Sequence, residues 1–271
     1  MEGGQLAEIL NAAPLFLLFA VRALAMIETA PVLSSEAIPQ TAKVALAGFL
    51  AFAVFPSAGS HWVGIPAADS AFTLTFLLLL AGEALIGIIT GFFMTIIFAA
   101  FSTSGQFFSL QMGWGAAETF DPVAQVENPL LGQFLNLIAT LTFLVMDGPR
   151  ELFLGGFWRS IQALSVQELV SGRENVLVML TGGLSRLFFD AMMISLPILG
   201  ALFLTTLTTG LISKAAPQIN MMSEGFPITT AVAFLLIIAT MPFMVEAFSR
   251  VITGAFESLQ QLYIETGGGI A

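Results

Sequence analysis

The sequence predicts a membrane-embedded helical protein, and three observations carry that prediction. Hydrophobic residues fill 57% of the chain and charged residues only 10%, which leaves little material for a soluble domain. The apolar residues gather into runs of membrane-helix length separated by short polar stretches. One stretch between such runs, residues 104–128, breaks the pattern with three glycines (Gly105, Gly113, Gly115), bulky apolar groups, three acids and no base.

The first run, 12–33, contains Arg22 and Glu28. Six positions correspond to about 240° around a helix, so the two face different ways, cannot pair with each other, and each requires an outside partner or water. Pro31 and Pro39 bracket a turn, and Lys43 opens a second run, 44–56. That run reaches only about 20 Å, short of the ~30 Å hydrocarbon core, as in one arm of a hairpin or an incomplete span. Residues 57–70 read as a loop and hold the single histidine, His61, with no second ligand spaced to share a metal.

Run 71–101 carries one charge, Glu83, and a Gly87/Gly91 GxxxG pair that lets another helix approach closely. Run 129–146 is uncharged. Segment 147–175, with three arginines among four acids, is the most soluble in character. Run 176–212 is too long for one crossing and is expected to divide at Pro197; Arg186 and Asp190 stand at i,i+4, where they can neutralise each other. A polar turn is expected over 213–227. The last run, 228–248, is expected to kink near Pro242, and Glu246 and Arg250 repeat the i,i+4 arrangement, before a tail ending in GGGIA.

Composition also excludes functions. The net charge of −10 argues against nucleic acid and against a basic lipid-binding patch. No cysteine means no disulfide or thiolate metal site. With Glu2 and Glu8 and no positive segment, the N-terminus is not expected to be a cleaved signal peptide. No HExxH, GxSxG or phosphate cradle points to an enzyme, and no cofactor is implied. The positive-inside rule fails for six simple spans, because 102–128 holds no Lys or Arg while 147–175 holds three Arg. Helices that pack chiefly against other protein account for that failure.

Irregular backbone at membrane depth is tolerated only within protein or beside a water-filled cavity. Residues 104–128 are therefore expected to form a constriction or closure element, with Phe107, Phe108, Met112, Trp114 and Phe120 as deformable filling. The ordinary alternative for these five is core packing.

Three stretches carry a family resemblance: RALAMIETAPVLSSEAIP (22–39) running into KVALAGFLAFAVFPS (43–57), GQFFSLQMGWGAAETFDP (105–122) and KAAPQINMMSEGFPI (214–228). In order and spacing the chain resembles the export-gate family of type III secretion, with Gly225-Phe226-Pro227 closer to the flagellar than to the virulence branch. The acidic Glu118 and Glu127, and Met221–Met222 in place of a frequent aromatic, depart from the family pattern.

The resemblance implies an all-α membrane-associated subunit whose helical hairpins pack into a hetero-oligomeric export gate. It would resemble a fused FliP-like part (1–175, including a plug loop at 105–122) and FliQ-like hairpin (176–250), followed by a tail at 251–271. Implied partners are FliP-like and FliQ-like subunits, an FlhB-like switch subunit and the unfolded polypeptides exported. The implied location is the bacterial inner membrane at the flagellar basal body. Plug residues would be Gly105, Phe107, Phe108, Met112, Gly113, Trp114, Gly115 and Phe120, with Gly87 and Gly91 packing helices. Arg22, Glu28, Glu83, Arg186 and Asp190 would be charges buried at subunit contacts. A subunit of a virulence secretion system is the nearest alternative. A small-molecule or ion transporter, with Glu28, Glu83 and a broken helix at Pro197, is the alternative of another class.

Overall fold

A computed structural model describes residues 2–57, 73–114, 130–215 and 221–266. Among these the regular structure is entirely helical: α1 (Glu2–Thr29), α2 (Gln40–Val54) with a short 3₁₀ turn after it, α3 (Leu74–Met112), α4 (Leu130–Val145), α5 (Gly148–Ala163), α6 (Val166–Ser171), α7 (Arg173–Ala215) and α8 (Met221–Thr266). The chain is an all-α membrane protein. Three of these helices are long and apolar enough to cross a membrane: Leu74–Met112, Arg173–Ala215 and Gly225–Thr266. The chain itself covers 61% of the apolar window of the first, but only 33% and 17% of the other two. Those two helices therefore hold most of their apolar surface ready for lipid or another protein.

The chain divides into two compact units. The first comprises Met1–Thr95, Asp147–Gly183 and Gly254–Ala271. Its α1 buries Leu18, Phe19, Arg22, Ala23, Met26, Ile27 and Ala30, a stripe advancing by alternate steps of one and three that marks one helix face. Pro39 holds extended backbone ahead of α2, and α2 packs on α1 through Lys43, Ala47, Ala51 and Val54. The intervening turn places Val32 at φ 69°, an unusual conformation for a β-branched residue. Lys43 Nζ spans that turn, donating to Glu28 Oε2 and to the Ser34 carbonyl, both at 3.1 Å.

In the same unit α3 meets α1 at the GxxxG pair. A Cβ on Gly87 would fall against the Arg22 carbonyl and 2.9 Å from Ala25 Cβ; one on Gly91 would meet Thr29 Oγ1 and lie 2.6 Å from the Met26 carbonyl. Only hydrogen lets the two backbones come this close. Asp147 adopts a left-handed φ of 55° before α5, which has Pro149 in its first turn and widens to π-helix over Leu152–Trp158. Ser165 and Glu168 then close a capping box at the start of α6, with the Ser165 N–H donating to Glu168 Oε2 at 2.6 Å. Segment 147–175 therefore contributes Leu152, Phe157, Ile161 and Leu164 to a core and is not a solvated insertion.

The second unit comprises Ile96–Met146 and Leu184–Thr253. Phenylalanines organise its core: Phe98 meets Phe101 and Phe143 edge-on, at 5.7 and 5.4 Å between centroids, and Phe101 meets Phe248 at 4.5 Å.

Four boundary expectations are corrected. Run 176–212 does not divide: α7 is continuous through Pro197, since one lost hydrogen bond is a small part of a 43-residue helix. Pro227 likewise lies inside α8, so Gly225-Phe226-Pro227 is helical and not a turn. Of the expected polar turn, only 216–220 falls outside the described residues. The tail is helical to Thr266 and buries Ile252, Leu259, Leu262 and Tyr263; the GGGIA end lies outside the described residues, as do His61 and most of 57–70.

Candidate gate segment

The expected plug loop begins eight residues too early. Residues 105–112 are the last two turns of α3, and the helix stops only where Gly113 takes φ 84°, its N–H donating to the Leu110 carbonyl at 3.1 Å. Gly105 is not a break. A Cβ there would lie 2.5 Å from the Leu131 carbonyl and 2.6 Å from Gly132 Cα, so glycine allows α4 to press its backbone against α3. Among the described residues a Cβ on Gly113 would meet only the Phe226 ring, 3.8 Å away, and the position requires glycine for its backbone angle instead.

The filling residues separate accordingly. Phe108 and Met112, at 0% and 2% exposure, are core of the second unit and face no lumen in this chain. Phe107 is half-buried. Trp114 is also half-buried and sets its ring edge-on to Phe234 at 6.0 Å. The buried Ser109 hydroxyl, between Phe108 and Met112, has no hydrogen-bond partner among the described residues. Gly115 and Phe120, with Glu118 and Glu127, lie outside the described residues. The segment at which the chain leaves α3 is therefore Gly113-Trp114, with the aromatic Phe226 and Phe234 of α8 beside it.

The buried charges are also placed differently. Arg22 and Glu83 are wholly buried within the first unit, so neither reaches a subunit contact. Arg22 Nε donates to Glu83 Oε2 at 2.5 Å, one terminal nitrogen to the Ser160 carbonyl at 2.7 Å and the other to the Leu164 carbonyl at 2.9 Å. Glu28 pairs with Lys43, whose role its position at the start of a run did not announce. A second buried polar contact, Thr90 to Tyr263 at 3.0 Å between hydroxyl oxygens, ties α3 to the end of α8 and was not foreseen from sequence. Lys43 and Arg22 each engage one oxygen of Glu28 and Glu83 respectively, and the helix break expected at Pro197 is not there.

Arg186 Nε lies 3.4 Å from Asp190 Oδ2, as their spacing predicts, with Arg186 half-exposed. Glu246 and Arg250 form no ion pair with each other, and both are exposed. Among the described residues no group of three His, Asp or Glu side chains is placed to hold a metal.

Comparison with known proteins places these features in a family. Residues 13–255 match the family described as "Bacterial export proteins, family 1". The chain is 32% identical over 250 residues to the flagellar biosynthetic protein FliR of Escherichia coli (strain K12), covering 90% of this chain and 91% of that relative. It is 28% identical over 261 residues to FliR of Bacillus subtilis (strain 168), covering 96% and 98%. It is 34% identical over 187 residues to FliR of Borreliella burgdorferi, covering 69% and 70%.

Proposed function

The chain belongs to the bacterial export proteins, family 1, as a membrane component of flagellar export, and from that premise we propose that it is a structural and gating subunit of the type III export channel. In this reading α7 and α8 form part of the channel wall. Residues 113–122, the part of the expected plug that follows α3, close the path of unfolded flagellar proteins. The family match across residues 13–255 carries the reading. The uncovered apolar surface of α7 and α8, whose apolar windows are only 33% and 17% buried, supports it as surface available to neighbouring subunits. The subunit works without chemistry of its own and sits with FliP-like, FliQ-like and FlhB-like neighbours in the inner membrane at the basal body. Residues 176–250 serve as its FliQ-like hairpin.

Closure follows from the chemistry of the segment. Trp114 and its apolar neighbours can fill a narrow path without demanding hydrogen bonds, and a hydrophobic constriction blocks ions by dewetting. Deleting residues 113–122 should leave complex levels unchanged while cells become permeable to ions and small toxic solutes. Normal impermeability at normal complex levels would overturn the plug and leave the wall.

A further inference from the structure

Within the second unit, α7 and α8 leave between them a groove of about 260 Å³. Its walls are apolar, with Met193 and Pro197 from α7 facing Phe243 from α8. A neighbouring hollow shares Met193, Ile194, Ala247 and Arg250 with it and is lined as well by Arg186 and Asp190. Asp190 is matched by Arg186, 3.4 Å away on its own helix. Arg250 is then the surplus cation, since no ion pair is formed by it among the described residues. Glu246, one turn earlier, does not line either hollow. A local excess of positive charge is unexpected in a chain of net charge −10 with only eight Lys and Arg.

We propose that this groove is a binding site for an anionic phospholipid, with one acyl chain along Met193, Pro197 and Phe243 and the phosphate on Arg250. Charge and length both favour this occupant. A guanidinium matches a phosphate with paired N–H donors, and basic pockets between membrane helices recognise anionic headgroups. From Arg250 to Thr240, both of which line the groove, α8 runs about 15 Å. That is one leaflet of a ~30 Å hydrocarbon core. A neutral apolar helix seated in the same groove would leave the Arg250 charge unmatched at a cost of several kcal/mol when desolvated.

The test uses the protein extracted from membranes with whatever subunits accompany it, given equal amounts of dioleoyl phosphatidylglycerol and dioleoyl phosphatidylcholine. Lipids retained are counted by intact-complex mass. Phosphatidylglycerol should be retained about fivefold over phosphatidylcholine, and Arg250→Gln should abolish that preference while Arg250→Lys keeps most of it. Equal retention by the unaltered protein, or an unchanged preference in Arg250→Gln, would overturn the proposal. A photo-crosslinking residue at Phe243 in living cells gives an independent decision should Arg250→Gln not accumulate. A lipid adduct supports the site, and an adduct to another protein subunit overturns it.

Discussion

Arg22 and Glu83, 61 positions apart in sequence, meet at 2.5 Å with both side chains withdrawn from solvent. The pair joins α1 to α3, and through the Ser160 and Leu164 carbonyls Arg22 also holds the end of α5. Arg22 thereby donates through all three of its nitrogens, while Glu83 keeps one buried oxygen, Oε1, without a hydrogen bond among the described residues. The two partners are not equivalent, and that asymmetry is testable.

Arg22→Met should destabilise the first unit by about 3–5 kcal/mol, because it strands a buried carboxylate and takes a donor from the Ser160 and Leu164 carbonyls. Glu83→Gln should cost less, since its amide oxygen still accepts from Arg22. Folded yield and thermal unfolding of the purified protein in mild detergent rank the two. Equal effects would mean that the carbonyl contacts of Arg22 contribute nothing.

Gly91→Ala should weaken the packing of α1 on α3 by about 1–3 kcal/mol, because the added methyl group meets the Met26 carbonyl 2.6 Å away, an atom unable to rotate aside. Gly48→Ala is the matched control. Among the described residues nothing lies within 4 Å of its new Cβ in the middle of α2, so it should stabilise by about 0.5–1 kcal/mol. The same unfolding measurement on both variants checks the pair, and similar losses at the two sites would remove the close-approach argument.

These contacts show what was legible in the sequence. Fold class and the apolar helix at 129–146, observed as Leu130–Val145, follow from apolar run length, a local property. The Arg186–Asp190 contact follows from spacing on one helix. The partners of Arg22 do not, because they lie 61 to 142 positions away and no periodicity encodes them. Gly105 is ambiguous in the sequence because glycine marks both chain breaks and close helix contacts; only the neighbouring Leu131 and Gly132 backbone tells which. Pro197 misled similarly, since a long apolar helix tolerates the loss of one hydrogen bond. The Ser165-x-x-Glu168 capping box, in contrast, was present in the sequence as a helix-start signal and would have placed α6.

Phe108→Ala should cost about 3–5 kcal/mol, as expected for a fully buried aromatic, and should reduce the amount of protein. Trp114→Ala removes a half-buried ring with one edge contact and should cost about 0.5–1.5 kcal/mol, leaving levels near normal. Any solute leak should therefore be sought with Trp114→Ala. Steady-state protein levels distinguish the two substitutions, and a stable, abundant Phe108→Ala protein would show that the end of α3 is not core.

Subunit composition tests the central claim most directly. The chain carries an affinity tag and is expressed with the other flagellar export genes of its cell, and the material extracted in mild detergent is weighed intact. The uncovered apolar faces of α7 and α8 predict a hetero-oligomer containing several FliP-like and FliQ-like chains, with the tagged chain aggregating when expressed alone. A monodisperse tagged chain, alone or as a homo-oligomer with those partners present in the same cells, would contradict it.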